Sequence, residues 1–290
     1  MERIERLVIV GVGLIGGSFA LALKEARAVG RVIGVGRGAE NIRRALDLGI
    51  IDTGGALDEA TFADADLVLL AVPAGQMRAV MRSIAPLLGA KTVVTDAGST
   101  KQDVVGFARS ELKAALSRFV PGHPIAGTEK SGADAAFAGL YRGRRVVLTP
   151  LEENEPEAVE LVRVAWVRCG ASVFDLQPKE HDAVLASVSH LPHVLAYALV
   201  DQVAGHKNAK QFFSYAAGGF RDFTRIASSH PEMWRDICLA NKKALLAEID
   251  RYGGKLERVR KMLERGDAKA LEALFAGARD ARNRWLKDTQ

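Results

Sequence analysis

Cysteine is scarce in this 290-residue chain: Cys169 and Cys238 are its only two, and no Cys-x-x-Cys pair occurs. Two thiols cannot build a disulfide framework, and without paired cysteines a zinc ribbon is excluded. Long apolar runs are missing too. No stretch reaches the roughly eighteen uninterrupted apolar residues of a membrane span. The opening Met1-Glu2-Arg3-Ile4-Glu5-Arg6 lacks the extended apolar core of a secretion signal. The expectation is a cytoplasmic chain with no membrane contact. Charge of one sign is nowhere concentrated: 40 basic residues face 35 acidic ones, a net +5, and the two kinds alternate in stretches such as 255–261. That mixture describes solvated helix faces and argues against nucleic-acid binding. There is no low-complexity linker and no solenoid repeat.

What is present is a globular composition, 48% hydrophobic and 26% charged, in a length that suits two domains. Short apolar runs at 6–10, 31–35, 67–71, 92–95, 119–120, 145–148 and 171–174 predict strands. Helical patterns at 14–28, 41–48, 75–88, 101–116 and 156–168 separate most of them. Strands alternating with helices imply right-handed crossovers and a largely parallel α/β sheet covered on both faces. From residue 177 the period becomes helical, over 179–204, 230–251, 254–265 and 267–287. Pro192 lies inside the first of these and is expected to kink it. The pattern divides the chain into an α/β domain, 1–176, and an all-helical domain, 177–290.

Gly11-Val-Gly13-Leu-Ile-Gly16 follows the first predicted strand and opens a helix. Glycine there serves a tight turn, close approach of backbone to a pyrophosphate, and close packing of helix on strand. The first domain therefore reads as a Rossmann-type dinucleotide site built on Gly11, Gly13, Leu14, Ile15 and Gly16. Where an NAD site usually ends its second strand with a carboxylate, this chain has Gly34-Val35-Gly36-Arg37-Gly38. Gly36 leaves room for a 2′-phosphate and Arg37 can pair with it, so NADP is the expected preferred cofactor, with NAD also accepted.

Four further segments carry a resemblance: Thr95-Asp-Ala-Gly-Ser-Thr-Lys101, Gly122-His-Pro-Ile-Ala-Gly-Thr-Glu-Lys-Ser-Gly132, Ser189-His-Leu-Pro-His193 and Gly218-Gly-Phe-Arg-Asp-Phe-Thr-Arg-Ile226. Together and in this order they resemble the prephenate/arogenate dehydrogenases of tyrosine biosynthesis, from Gly11 to about Trp234. The length resembles a minimal member, with no fused mutase and no regulatory domain. The resemblance implies oxidative decarboxylation of prephenate or arogenate, with hydride transfer to the nicotinamide, giving 4-hydroxyphenylpyruvate or tyrosine.

It also implies the site. His123 matches the family's catalytic histidine, the base for the ring hydroxyl, placed in a loop after a strand; a base near neutral pKa suits that task. Ser99 matches a serine that bonds the same hydroxyl or the histidine; read alone it would cap the helix that follows. Ser189 and His193, four apart on one helix face, are carried over as substrate residues. Arg225 is carried over as the fork for the ring carboxylate, and Gly218 as a place where backbone nears the ligand. His190 and Trp234 read as structural. Glu129, Lys130, Arg221 and Asp222 are left open between site and surface roles. No metal is expected. A homodimer through the helical domain is implied, with the site at the junction of the two domains. Two other readings compete: a β-hydroxyacid dehydrogenase, which would need a helical-domain lysine motif not seen here, and a non-catalytic dinucleotide sensor, which would not need His123 paired with Arg225.

Overall fold

The computed structural model describes residues 3–128 and 130–288. Its first part runs β1 (Ile4–Val10), α1 (Leu14–Glu25), β2 (Val29–Val35), α2 (Ala39–Asp47), β3 (Thr53–Gly55), α3 (Glu59–Phe62), β4 (Leu67–Leu70), α4 (Ala74–Ile84), β5 (Val93–Asp96), α5 (Gln102–Glu111) and β6 (Phe119–Val120). The six strands form one parallel sheet in the order β3-β2-β1-β4-β5-β6. Alternate residues of a strand point to opposite faces, and here both faces are covered. Leu7, Ile9, Leu67 and Leu69 join Leu23 and Trp166 on one side; Val8, Val10, Val68 and Leu70 join Met77 and Met81 on the other. This double burial is why the strands read as unbroken apolar runs.

A second, three-stranded sheet continues the fold: β7 (Gly122–Pro124), β8 (Arg145–Leu148) and β9 (Ser172–Asp175), with α6 (Pro156–Arg168) before β9. β7 pairs antiparallel with β8, placing His123 opposite Val147, and β8 pairs parallel with β9. His123 therefore sits on a strand, not in the expected loop. A three-residue Gly-His-Pro segment has no strand pattern of its own; pairing with β8 makes it one. β3, a Thr-Gly-Gly segment, was unpredicted for the same reason.

The remaining elements are α7 (Pro178–Leu185), α8 (Leu191–Ala204), α9 (Ala209–Ser214), α10 (Gly218–Thr224), α11 (Pro231–Ala240), α12 (Lys242–Glu264) and α13 (Ala268–Asp288). A π-helical turn over 186–190 joins α7 to α8, just ahead of Pro192. The chain continues through the proline by loosening one turn before it. Gly253 and Gly254 do not interrupt α12: a helix glycine costs only about 1 kcal/mol, and the break falls at Asn241. Residues 178–204 form one helical stretch whose most apolar 18-residue window has a mean hydropathy of 1.6 and is 28% buried, long and apolar enough by those measures to cross a membrane. The absence of an uninterrupted apolar run did not reveal this. Two compact units are present, 1–242 and 243–290, so α7–α11 cluster with the α/β part.

Candidate active site

The glycine turn separates its three roles spatially. Gly11 adopts φ +99°, and a Cβ there would lie 2.3 Å from the Ala71 carbonyl oxygen; this is the position that needs glycine for the turn. A Cβ on Gly16 would lie 2.3 Å from the Gly11 carbonyl oxygen and 2.7 Å from Ile9, so Gly16 lets α1 close on β1. At Gly13 the nearest atom to an added Cβ is the Gly132 nitrogen at 4.0 Å. Gly13 is thus the open position, where an incoming pyrophosphate can meet backbone. α1 starts there with no side-chain cap and no acidic residue in its first turn, which leaves its N–H groups and positive end to an anion. Leu14 is buried and Ile15 half-buried. The Asn41 amide braces the turn, donating to the Val12 carbonyl at 2.7 Å and accepting from the Ala133 N–H at 3.0 Å. Beyond β2, Gly36 and Arg37 are exposed. A Cβ on Gly36 would meet only the flexible Ile42 side chain, at 3.3 Å.

Asp96, the last residue of β5, links the segments that carry Ser99 and His123. Its fully buried carboxylate pairs with the equally buried Lys101 ammonium, accepts the Gly98 N–H at 2.7 Å and accepts the Gly122 N–H at 3.1 Å. One side chain thereby closes the turn carrying Ser99 and ties it to the strand carrying His123. Ser99 is half-buried on that turn and does not cap α5. The cap is supplied from elsewhere: the Asp182 carboxylate accepts the N–H groups of Lys101 at 2.8 Å and Gln102 at 2.9 Å.

His123 is 8% exposed. Its Nδ1 lies 2.8 Å from Nε2 of His181, whose Nδ1 lies 2.8 Å from Asp182 Oδ1. Burial first, then the neighbouring His181 and Lys101 charges, hold the His123 imidazole well below its usual pKa. The ring is neutral at physiological pH, as a base must be before it acts. His181 is lowered as well, chiefly by burial. Burial pushes the Asp182 carboxyl up, but its hydrogen bonds with His181, Gln102 and Lys101 outweigh that and leave it below the ordinary value.

The helices α7–α11 supply the other candidates. His193 Nδ1 bonds the Ser189 carbonyl at 2.9 Å, and its ring stacks on Trp234 at 3.5 Å with a 20° tilt. Trp234 thus packs the site and orients His193. Burial, then the charge of Arg225, lower the His193 pKa, while the Ser189 carbonyl opposes this. That places Arg225, an exposed residue just past α10, within electrostatic reach of His193. His190 is buried with its Nδ1 3.1 Å from the Asn241 amide, which also donates to the Asp182 carbonyl at 2.7 Å. Gly218 opens α10 facing space a Cβ could occupy. Arg221 and Asp222 form a solvent-exposed pair at 4.0 Å, and Lys130 is exposed; Glu129 lies outside the described residues. Among the described residues, no three His, Cys, Asp or Glu side chains converge in a way that could hold a metal.

His181, Asp182 and Asn241 were not singled out from the sequence. An isolated His-Asp pair 58 residues from its partner carries no spacing signal, and Asn241 reads as a helix breaker. The only cue was that His181-Asp182 precedes the Ser189–His193 segment on the same helical stretch. All the site residues described lie in the 1–242 unit.

Residues 19–175 match the profile of the prephenate dehydrogenase nucleotide-binding domain, and residues 177–277 that of the prephenate dehydrogenase dimerization domain. A prephenate dehydrogenase of Bacillus subtilis is 37% identical over 281 residues, spanning 96% of this chain and 76% of the relative. A cyclohexadienyl dehydrogenase of Zymomonas mobilis is 37% identical over 287 residues, spanning 97% and 96%. The crystal structure of prephenate dehydrogenase from Aquifex aeolicus with hydroxyphenyl propionate and NAD+ superposes with a TM-score of 0.89 at 37% identity, over 98% of each chain. Synechocystis arogenate dehydrogenase superposes with a TM-score of 0.82 at 29% identity, over 97% of this chain and 99% of the other. On both the sequence profiles and the structural likeness, this chain belongs to the prephenate dehydrogenase family.

Proposed function

We propose that this chain oxidatively decarboxylates prephenate, giving 4-hydroxyphenylpyruvate, with arogenate as the alternative substrate and tyrosine as its product. The observation that carries the reading is His123: a buried, neutral imidazole on β7, beside the end of β5 that Asp96 ties to Gly122 and bonded to His181 of α7. A bound NAD(P)+ supplies the hydride acceptor for C4 of the ring. His123 takes the C4 hydroxyl proton as the hydride leaves, the resulting carbonyl accepts the electrons of the departing ring carboxylate, and aromatisation drives the loss of carbon dioxide. Ser99 hydrogen-bonds the same hydroxyl. Arg225 holds the ring carboxylate as a bidentate partner, and Ser189 and His193 approach the side chain. Gly218 leaves backbone accessible beside the ligand.

The open position at Gly13 and the uncapped start of α1 fit a dinucleotide pyrophosphate. NADP is the preferred cofactor in this reading and NAD is accepted. An aspartate at position 36 would oppose a 2′-phosphate by about 4 kcal/mol at 4 Å and an effective dielectric of 20; its absence matters more than Arg37, whose exposed pairing is worth about 1 kcal/mol. The chain works as a homodimer through its helices, in the cytoplasm, where its two free cysteines suit a reducing compartment.

Purified protein with prephenate or arogenate and either cofactor, followed by absorbance of reduced nicotinamide, tests the activity. No signal with any pairing would restore the non-catalytic sensor reading. Gly36→Asp combined with Arg37→Ala should move preference toward NAD; an unmoved preference, or a wild type that favours NAD, overturns the cofactor assignment.

A further inference from the structure

We infer that His181 and Asp182 act on His123 as a two-step relay that fixes its tautomer, leaving Nε2 as the proton-accepting atom. The chain of donors and acceptors permits one arrangement. Both Asp182 oxygens face donors: Oδ1 takes the Lys101 N–H and His181 Nδ1, and Oδ2 takes the Gln102 N–H at 2.9 Å and the Gln102 side-chain amide at 3.2 Å. A carboxylate so surrounded is ionised and accepts only, so His181 Nδ1 carries a hydrogen. In a neutral ring, His181 Nε2 is then an acceptor, and the nitrogen 2.8 Å away, His123 Nδ1, must be the donor. That leaves the lone pair of His123 on Nε2.

The capping of α5 is part of the device. Asp182 is anchored by two backbone N–H groups at a helix N-terminus, where a negative charge is favoured, so the end of the relay is held rigidly and kept ionised. The Asn241 amide grips the Asp182 carbonyl, fixing the same residue from the break between α11 and α12. When His123 accepts a proton on Nε2, its Nδ1 hydrogen can shift toward His181 Nε2, and the positive charge spreads toward Asp182. No atom is lost or gained: the proton from the ring hydroxyl stays on the imidazole pair until the phenol oxygen or solvent reclaims it. His181 and Asp182 are positioning residues; neither needs to touch the substrate. One consequence follows for acid conditions. A proton placed on His181 Nε2 turns it into a donor, forces His123 to accept on Nδ1, and moves the remaining hydrogen to Nε2. The base is then disabled although His123 itself is still neutral. The acid limb of kcat/KM belongs to the imidazole pair, set among Lys101 and Asp96 from the β5–α5 turn, Asp182 from α7 and His190 from the π turn.

The proposal rests on His123 being the base of the proposed reaction, and its test separates the two. Two-bond 1H–15N spectra of the protein labelled at its six histidines, with His123 assigned from His123→Asn, read the tautomer without any substrate. His123 should show a protonated Nδ1 and an unprotonated Nε2 at pH 7.5. The opposite tautomer overturns the relay, whatever the enzyme's activity. Kinetics give the second reading. Asp182→Asn, which can present a donor to His181 and reverse the chain, should lower kcat by about 10²-fold or more, as wrong-tautomer variants do, with KM within about threefold. His181→Gln, whose amide oxygen can still accept from His123 Nδ1, should fall between wild type and His181→Leu. Equal losses in His181→Gln and His181→Leu, or losses expressed in KM alone, would mean a purely structural role and sink the proposal.

Discussion

A histidine that is 8% exposed and faces a second imidazole gains little by holding a proton, because burial removes the water that would stabilise the charge. His123→Asn keeps the polarity and most of the volume but has no basic nitrogen. Its turnover should drop by about 10²–10⁴-fold with binding largely retained; unchanged turnover would remove His123 from the mechanism. Arg225→Ala should act oppositely, raising KM through loss of a charged pair worth on the order of 2–5 kcal/mol where the partner stays desolvated. His190 gives a stability prediction. Burial holds its pKa down to about 4 against an ordinary 6.5. The unfolded chain therefore takes up a proton that the native state refuses between those values, so stability is full above about 6.5 and declines as pH falls toward about 4. The decline from this one group is on the order of 3 kcal/mol. Urea midpoints at pH 7.5 and 5 should separate less in His190→Gln than in wild type.

Elements matter here chiefly at their ends. α1 begins uncapped at the glycine turn, while α5 begins on a carboxylate reaching over from α7; one end is left for a ligand and the other is closed by the protein. The glycines of the first end can be told apart by experiment. Gly13→Ala points a methyl into open space, so the melting temperature should hold. Cofactor binding should weaken by roughly 10-fold or more, the worth of one charged hydrogen bond. Gly16→Ala drives its methyl against the Gly11 carbonyl and should destabilise by about 1–3 kcal/mol. Thermal melts and cofactor titrations of the two variants should show this reversal; a Gly13→Ala variant with unaltered cofactor affinity would move the pyrophosphate elsewhere.

At the scale of the whole molecule, the apolar residues left on the surface point to association. In the 243–290 unit, Leu256, Leu263, Phe275 and Trp285 are each more than half exposed, and they belong largely to the stretch matching the family's dimerization domain. If these side chains share one face they form the kind of apolar patch that marks an interface. Sedimentation at micromolar concentration should give a dimer, and a monomer there would count against it.

The parallel α/β sheet, the glycine turn and the helical second half were legible from the residues because their signals are local: an apolar run for a twice-covered strand, a 3.6-residue period for a helix, three glycines at fixed offsets. Ser99, His123, Ser189, His193 and Arg225 stood out through the motifs around them. What only the tertiary structure decided are the interactions between residues far apart in the chain. Gly122–Pro124 became a strand because β8 lies beside it, and α5 was capped by Asp182 across 80 residues. His181 joined His123 because α7 packs over the end of the sheet, while Gly253 and Gly254 failed to break a helix of 23 residues. Local chemistry sets which elements can form. Which side chains then share a buried space depends on how those elements pack, and it is there, with water excluded, that the proton affinity of His123 is set.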